Sequence, residues 1–126
     1  MDWTKPTTQL LGRFQPWHKG HTELFKRAIS KTGQVVILLR ASDGTEGNPY
    51  DFNERSVQIT TALAKEGFYS SEHYVIMNVP NITHITYGRD VGYKIEQEKL
   101  EDKIEEISAT NIRKGLQQIA DTHPME

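Results

Sequence analysis

The chain has 126 residues, no cysteine and a formal net charge of −2, with 36% hydrophobic and 25% charged residues. This length predicts one domain over 1–126, long enough to bury roughly two-thirds of its unfolded surface. The composition excludes disulfides, thiolate metal sites and thiol nucleophiles, and it gives no overall basic field for a nucleic acid.

The N-terminal residues lack the basic segment and apolar core of a signal peptide. No apolar run approaches the roughly 20 residues that a membrane-spanning helix needs. We therefore expect a cytoplasmic protein that has neither a membrane nor a nucleic acid as its partner.

The first part of the chain predicts one βαβ unit. After a loose lead-in at 1–6, Thr7 to Phe14 predicts a strand, because Leu10-Leu11 suit a buried position in a parallel sheet. An amphipathic helix is expected from Thr22 to Gly33. The apolar run 34–39 predicts the second strand, and such units cross over with a right hand.

The same alternation continues. Residues 41–48 are rich in turn formers, and a helix is expected after Asp51, where Glu54 completes a capping box. Residues 74–79 predict a third strand, and the alternating residues 82–87 predict a fourth.

The last part of the chain is less regular. Residues 93–106 are rich in Glu and Lys, which favours a helix by propensity, although part of the segment alternates as a strand does. A final helix is expected over 110–120, before a loose terminus at 121–126. The whole order predicts an α/β fold, a Rossmann-like parallel sheet with helices on both faces. Such sheets bind ligands at the carboxyl ends of their strands.

The turn over residues 12–21 lies at such a carboxyl end and contains His18 and His21. The start of a helix offers backbone N–H groups to anions, and imidazoles can donate hydrogen bonds to charge that develops in a transition state. The spacing of three residues puts both histidines on one side of a helical turn. Gly12 permits a close approach of the backbone to a ligand. We therefore expect phosphate chemistry near residue 20.

A second candidate element lies at the start of the last predicted helix. Ser108 and Thr110 are residue types that cap a helix start, and a capped helix start is also a seat for phosphate. Arg113 follows one turn later, where its guanidinium could bind two phosphate oxygens.

Two motifs carry a family resemblance that covers residues from about 7 to 120. His18-Lys19-Gly20-His21 matches the H-x-G-H signature of the cytidylyltransferase-like nucleotidyltransferases. The segment 12–16, Gly-Arg-Phe-Gln-Pro, most resembles the archaeal-type nicotinamide mononucleotide adenylyltransferases. Residues 107–113, Ile-Ser-Ala-Thr-Asn-Ile-Arg, resemble that superfamily's I-S-x-T-x-[IV]-[RK] segment. Together, in this order, the motifs are far more specific than H-x-G-H alone.

The resemblance implies a set of site residues. The catalytic residues would be His18, His21 and Arg113, with Arg113 on the β- and γ-phosphates. The nucleotide-binding residues would be Gly12, Arg13, Phe14, Gly20, Arg40, Tyr87, Gly88, Arg89, Asp90, Ser108 and Thr110.

The resemblance also bears on the rest of the chain. It implies a short strand near 94–100 and acceptor or oligomer contacts from residues 48–55. We expect a homo-oligomer, most simply a two-fold dimer, because members of the family generally assemble. The aromatic residues expected to be exposed and available for such contacts are Trp3, Trp17, Phe52, Phe68 and Tyr69.

The implied enzyme is a nucleotidyltransferase that moves a nucleoside monophosphate from a nucleoside triphosphate to a small phosphorylated acceptor and releases pyrophosphate. Mg²⁺ would be bound through the triphosphate, with no metal ligand on the protein and no organic cofactor. Adenylyl transfer of the nicotinamide mononucleotide type is slightly favoured over cytidylyl transfer to a phosphorylated alcohol or sugar.

Two other classes stay open. The chain could be a nucleotide-binding module without turnover. It could also be a zinc-dependent structural domain, since His-x-x-His is a ligand spacing and further ligands could come from His73, His84 or His123. The sequence contains no P-loop and no G-x-G-x-x-G motif. It also lacks the K-x-D-G motif of nucleotidyltransferases that use a covalent lysine. The nearest match to that motif is the segment 41–44, which has Ala41 in place of the lysine.

Overall fold

A computed structural model of the chain describes residues 1–42, 47–89 and 92–98. Three strands and two helices alternate in these residues. Their bounds are β1 Thr8–Gly12, α1 Lys19–Thr32, β2 Val35–Arg40, α2 Phe52–Lys65 and β3 Tyr74–Val79. The strands form a parallel sheet in the order β1-β2-β3. The predicted α/β, Rossmann-like parallel sheet is confirmed.

Both described helices cover the same face of this sheet. Two right-handed crossovers that advance in one direction place their helices on one side. The burial pattern agrees, since alternate residues of β2 join side chains from both helices in one core. The fully or nearly fully buried members from these three elements are Phe25, Ala28, Val35, Ile37, Leu39, Ile59 and Leu63. The helix predicted over 110–120, which would cover the other face, lies outside the described residues.

Helix α1 begins at Lys19, three residues before the predicted start at Thr22. The side chain of His18 caps it, and a helix start needs such acceptors because its first N–H groups have no partner within the helix. An apolar periodicity cannot reveal a first turn that is capped by histidine. At the other end Gly33 has φ 87° and donates its N–H to Ile29 O, as predicted for a left-handed stop.

Two expectations for the later strands are wrong. Strand β3 is followed by irregular chain, and residues 82–87 do not form the predicted fourth strand. Their alternation has no buried side, because Ile85 and Tyr87 are exposed. Residues 94–98 also form no strand, and ion pairs from Lys31 to Glu96 and Glu98 attach them to α1 instead.

The lead-in is tied to the sheet by one side chain. Gln34, just before β2, donates from Nε2 to the carbonyl oxygens of Asp2 and Lys5. The N-terminal amino group donates to Ser71 O. Residues 1–6 therefore have tertiary partners without forming a helix or strand. The predicted boundaries of the domain stay a prediction.

Neither described helix is long and apolar enough to cross a lipid bilayer.

The left-handed stop of α1 gives a test of stability. Gly33→Ala should lower the free energy of unfolding by about 1 kcal/mol, because a Cβ disfavours positive φ. A Cβ at position 33 would have no atom within 4 Å, so steric clash does not add to the loss of stability. Urea unfolding measures the change, and Gly33→Asn is the matched control that should lose less, since asparagine tolerates this conformation. Equal losses for the two variants would contradict the conformational explanation.

Candidate active site

The histidine pair lies at the carboxyl end of β1, at the start of α1. The two rings stack with centroids 3.7 Å apart and an angle of 29° between their planes. Both side chains are buried, and His21 is only 1% exposed. The first turn of α1 contains no acidic side chain. An anion at this end of the helix would therefore meet the positive end of the helix dipole without a nearby carboxylate from that turn.

The backbone fixes which nitrogen of each imidazole carries the proton. Gly20 N–H donates to Nδ1 of His18 at 3.0 Å. The backbone N–H of His18 donates to Nδ1 of His21 at 3.2 Å, and the two side chains together form a capping box. A nitrogen that accepts a hydrogen bond cannot also carry a proton in that bond, so the neutral rings have their N–H at Nε2. The stacked rings thus bring two Nε2–H groups into one small site.

Aromatic rings surround His21. Phe14 meets it edge-to-face, with centroids 4.9 Å apart, and Trp17 packs against it at 5.4 Å. The indole Nε1–H of Trp17 donates to Thr22 Oγ1 at 2.9 Å. Trp17 is buried, so the expectation that it is an exposed interface aromatic is wrong. The indole packs on Phe14 and His21 because these rings give it an apolar wall and the threonine satisfies its N–H.

Two arginines lie at the ends of neighbouring strands. Arg13 directly follows β1, and Arg40 is the last residue of β2. Burial lowers the pKa of both guanidinium groups, and the positive charge of Arg13 is a second cause of the lowered pKa of Arg40. Two like charges that approach each other where water is partly excluded favour a bound anion. Arg13 Nη1 also donates to Asn48 Oδ1 at 3.3 Å, and Arg40 Nη1 donates to Ile82 O at 3.4 Å.

Arg55 holds the two strand ends at a fixed separation. Its Nη1 donates to the carbonyl oxygens of Arg13 and Arg40, both at 2.9 Å, and its Nε donates to Asp51 O at 3.3 Å. The residue is fully buried in α2. The sequence indicated this residue only as part of the segment 48–55, for which the resemblance implies acceptor or oligomer contacts. Its structural role was missed, because a buried arginine that binds carbonyl groups leaves no pattern in a single sequence.

Gln15 attaches the turn over residues 12–21 to the loop between β2 and α2. Its side-chain amide binds both backbone groups of Tyr50, accepting from N at 3.0 Å and donating to O at 2.8 Å. It also donates to Ser42 Oγ at 3.1 Å. These contacts fix residues 48–50 beside the turn, and Gln15 was not among the predicted site residues.

The predicted site residues fall into three groups. Those of the turn and of β2 lie together at the carboxyl edge of the sheet: Gly12, Arg13, Phe14, His18, Gly20, His21 and Arg40. Residues 87–89 lie on irregular chain, where the half-exposed ring of Tyr87 packs edge-to-face on Tyr93. The remaining predicted residues, Asp90, Ser108, Thr110 and Arg113, lie outside the described residues.

No group of three or more His, Asp or Glu side chains that could hold a metal ion occurs in residues 1–42, 47–89 and 92–98. His73 lies at the amino ends of the strands, where its carbonyl oxygen accepts a hydrogen bond from Val35 N. The turn over residues 12–21 lies at the opposite edge of the sheet, at the carboxyl end of β1. The zinc hypothesis therefore has no support from the described part of the chain.

Comparison with known proteins identifies the family. Residues 10–111 match the model of the cytidylyltransferase-like family, which is most of the chain. The chain therefore belongs to this family, and the resemblance inferred from the two motifs is confirmed.

Archaeal relatives are similar over parts of the chain. The nicotinamide-nucleotide adenylyltransferase of Thermoplasma acidophilum is 40% identical over 63 residues, which are 48% of this chain and 35% of that protein. The protein of the same name from Ignicoccus hospitalis is 37% identical over 73 residues, or 56% of this chain and 42% of the relative. That of Pyrococcus abyssi is 26% identical over 133 aligned residues, with 84% of this chain and 70% of the relative covered. The first two alignments thus span less than half of those relatives.

The tautomers of the two histidines can be measured directly. We expect long-range ¹H–¹⁵N NMR spectra of the nucleotide-free protein at neutral pH to show an unprotonated Nδ1 and a protonated Nε2 for both His18 and His21, because both Nδ1 atoms accept backbone hydrogen bonds. The exposed His84 serves as the reference in the same spectrum. A protonated Nδ1 on either ring of the neutral pair would contradict the capping geometry.

Proposed function

We propose that the chain is a nucleotidyltransferase that moves a nucleoside monophosphate from a nucleoside triphosphate to a phosphorylated acceptor. The observation that carries this proposal is the stacked histidine pair, whose backbone hydrogen bonds leave the N–H of each neutral ring at Nε2. Two preorganised donors at a helix start suit the negative charge of a phosphoryl transition state. Membership of the cytidylyltransferase-like family supports the same class of reaction.

The reaction requires no covalent intermediate with the enzyme. An oxygen of the acceptor phosphate attacks the α-phosphorus of the triphosphate and forms a new P–O bond. The bond from the α-phosphorus to the bridging oxygen breaks, and pyrophosphate leaves with the electron pair. His18 and His21 donate from Nε2 to the α-phosphate and the bridging oxygen as the charge shifts to the leaving group. Catalysis then consists of positioning and charge stabilisation.

In this proposal, the arginines bind different phosphate groups of the substrate and neutralise their remaining negative charge. Arg13 and Arg40 stabilise phosphate oxygens at the ends of β1 and β2, which relieves the repulsion between their own charges. In our proposal Arg113, with Ser108 and Thr110 at the start of the last predicted helix, binds the β- and γ-phosphates. A guanidinium suits this task because its planar fork can donate to two phosphate oxygens at once.

A divalent cation fits this arrangement without a cage of protein ligands. Mg²⁺ usually keeps several waters and binds through substrate phosphates with few carboxylates. The described residues contain no cluster of metal-ligating side chains, which fits a cation that arrives with the triphosphate. When bound, the cation neutralises charge on the phosphates, while the side chains named above orient them.

Adenylyl transfer to nicotinamide mononucleotide is our first choice of substrates. The Gly-Arg-Phe-Gln-Pro segment and the similarity to archaeal nicotinamide-nucleotide adenylyltransferases favour ATP and this acceptor. Cytidylyl transfer to a phosphorylated alcohol or sugar is the second candidate, because the Ile107 to Arg113 spelling is shared with cytidylyltransferases. We propose, as before, a cytoplasmic homodimer. Among the aromatic residues suggested for its contacts, Trp3 and Tyr69 are exposed.

Pyrophosphate release tests the proposed reaction. The protein is incubated with Mg²⁺ and either ATP or CTP, together with nicotinamide mononucleotide, a phosphorylated alcohol or a phosphorylated sugar. We expect release that requires both substrates, and largest with ATP and nicotinamide mononucleotide. Pyrophosphate release only with CTP would replace adenylyl transfer by cytidylyl transfer as the preferred reaction. Nucleotide binding without pyrophosphate release under every condition would support a nucleotide-binding module without turnover.

His21→Ala tests the chemical role of the pair. Losing one donor to the transition state should lower kcat roughly 10²-fold or more, while the affinity for the triphosphate falls much less. His73→Ala is the matched control, because His73 also accepts a backbone N–H at Nδ1, from Tyr69, but lies at the opposite edge of the sheet. Unchanged pyrophosphate release in both His18→Ala and His21→Ala would overturn the proposed role.

A further inference from the structure

Phe14 has a backbone conformation that bulky residues rarely adopt. Its φ is 51°, in the left-handed region that normally favours glycine. Residues persist there when the surrounding structure determines their conformation, and such positions cluster at functional sites. The contacts of the Phe14 ring show what this conformation achieves.

The ring of Phe14 is enclosed by residues of the turn over 12–21. It is 1% exposed and lies close to the backbone of Gly12 and to the rings of Trp17 and His21. A Cβ added to Gly12 would lie 3.0 Å from Cζ of the ring and 3.2 and 3.3 Å from its two Cε atoms. Any larger residue at position 12 would therefore displace the Phe14 ring, which is in contact with the imidazole of His21.

From this geometry we infer that Gly12 and Phe14 act as a pair of positioning residues for His21. The glycine leaves room for the Phe14 ring, and this ring, nearly perpendicular to the imidazole, fixes the plane of the imidazole. This inference rests on the proposed function but goes beyond it, because it gives both residues a role through His21. The sequence had instead predicted that they bring the backbone close to the nucleotide.

The imidazole needs this additional contact. The hydrogen bond from His18 N to Nδ1 fixes one ring atom but leaves the ring able to tilt about that atom. Stacking on His18 limits motion on one side, with centroids 3.7 Å apart, and the Phe14 ring packs against the imidazole with an angle of 87° between the two planes. Together these contacts determine where Nε2 lies. Small misplacements of a catalytic group reduce the rate strongly, by about 10²-fold for 1 Å.

A double-mutant cycle distinguishes this role from contact with the nucleotide. Phe14→Leu and Gly12→Ala should each lower kcat about tenfold or more, while KM for the triphosphate changes less than about threefold. The double variant should be no slower than Phe14→Leu, because leucine leaves space for the new Cβ. If the losses instead multiply in the double variant, or if KM rises and kcat does not fall, the two residues do not act through His21.

Phe25→Leu is the matched control for a simple loss of packing. Phe25 is a buried phenylalanine of the same core, in edge-to-face contact with Phe68 and Tyr74. It should lower the melting temperature as Phe14→Leu does, while kcat stays within about twofold of the wild type. An equal fall in kcat in both variants would assign the effect to general packing and overturn the inference.

A readout without substrate keeps the inference separate from the proposed function. Loss of the Phe14 ring current shifts the His21 signals in any case, so the readout is their line width. In ¹H–¹⁵N spectra of the nucleotide-free protein, the ring signals of His21 should broaden in Phe14→Leu and keep their width in Phe25→Leu. This comparison tests whether Phe14 positions the imidazole of His21, even if Gly12→Ala does not fold or the wild type releases no pyrophosphate. His21 signals that keep the wild-type line width in Phe14→Leu would overturn the inference while leaving the proposed reaction intact.

Discussion

The hydrogen bond from the backbone N–H of His18 to Nδ1 of His21 is the constraint on which the turn over residues 12–21 depends. A helix start must find acceptors for its first N–H groups, and this chain uses imidazole nitrogens where most proteins use hydroxyl or carboxylate oxygens. The same bonds that begin the helix therefore set the tautomer of both rings. Formation of α1 therefore also orients the two histidines, because α1 cannot be capped in this way without them.

The surrounding structure keeps this turn in place. Arg55 binds the carbonyl groups at the ends of β1 and β2, and Gln15 binds both backbone groups of Tyr50. Both side chains are buried, so breaking one of these contacts would leave a polar group of Arg55 or Gln15 unpaired and largely away from water, which is unfavourable. The arginines and the histidine pair are thus held by contacts that bring the ends of two strands and one helix to the same edge of the sheet.

The sequence predicted those parts of the fold that depend on local pattern. The apolar run at 34–39, the stop at Gly33 and the capping box of Asp51 and Glu54 all match the structure, because burial periodicity and backbone chemistry act locally. The predicted strand at 82–87 is absent, because alternation alone cannot show whether a strand has a neighbour or a buried side.

The site was predicted in part. The histidine motif indicated its position, but only the tertiary structure shows which residues orient it. The burial of Trp17 and the space that Gly12 leaves for the Phe14 ring depend on contacts between side chains. A structure of the protein with the α,β-methylene analogue of ATP would test the central claim most directly. The account predicts an α-phosphate oxygen about 3 Å from Nε2 of one histidine and the methylene bridge, which replaces the bridging oxygen, beside Nε2 of the other, with both Nδ1 bonds intact. A triphosphate bound elsewhere, or a ring turned so that Nδ1 faces the phosphate, would contradict it.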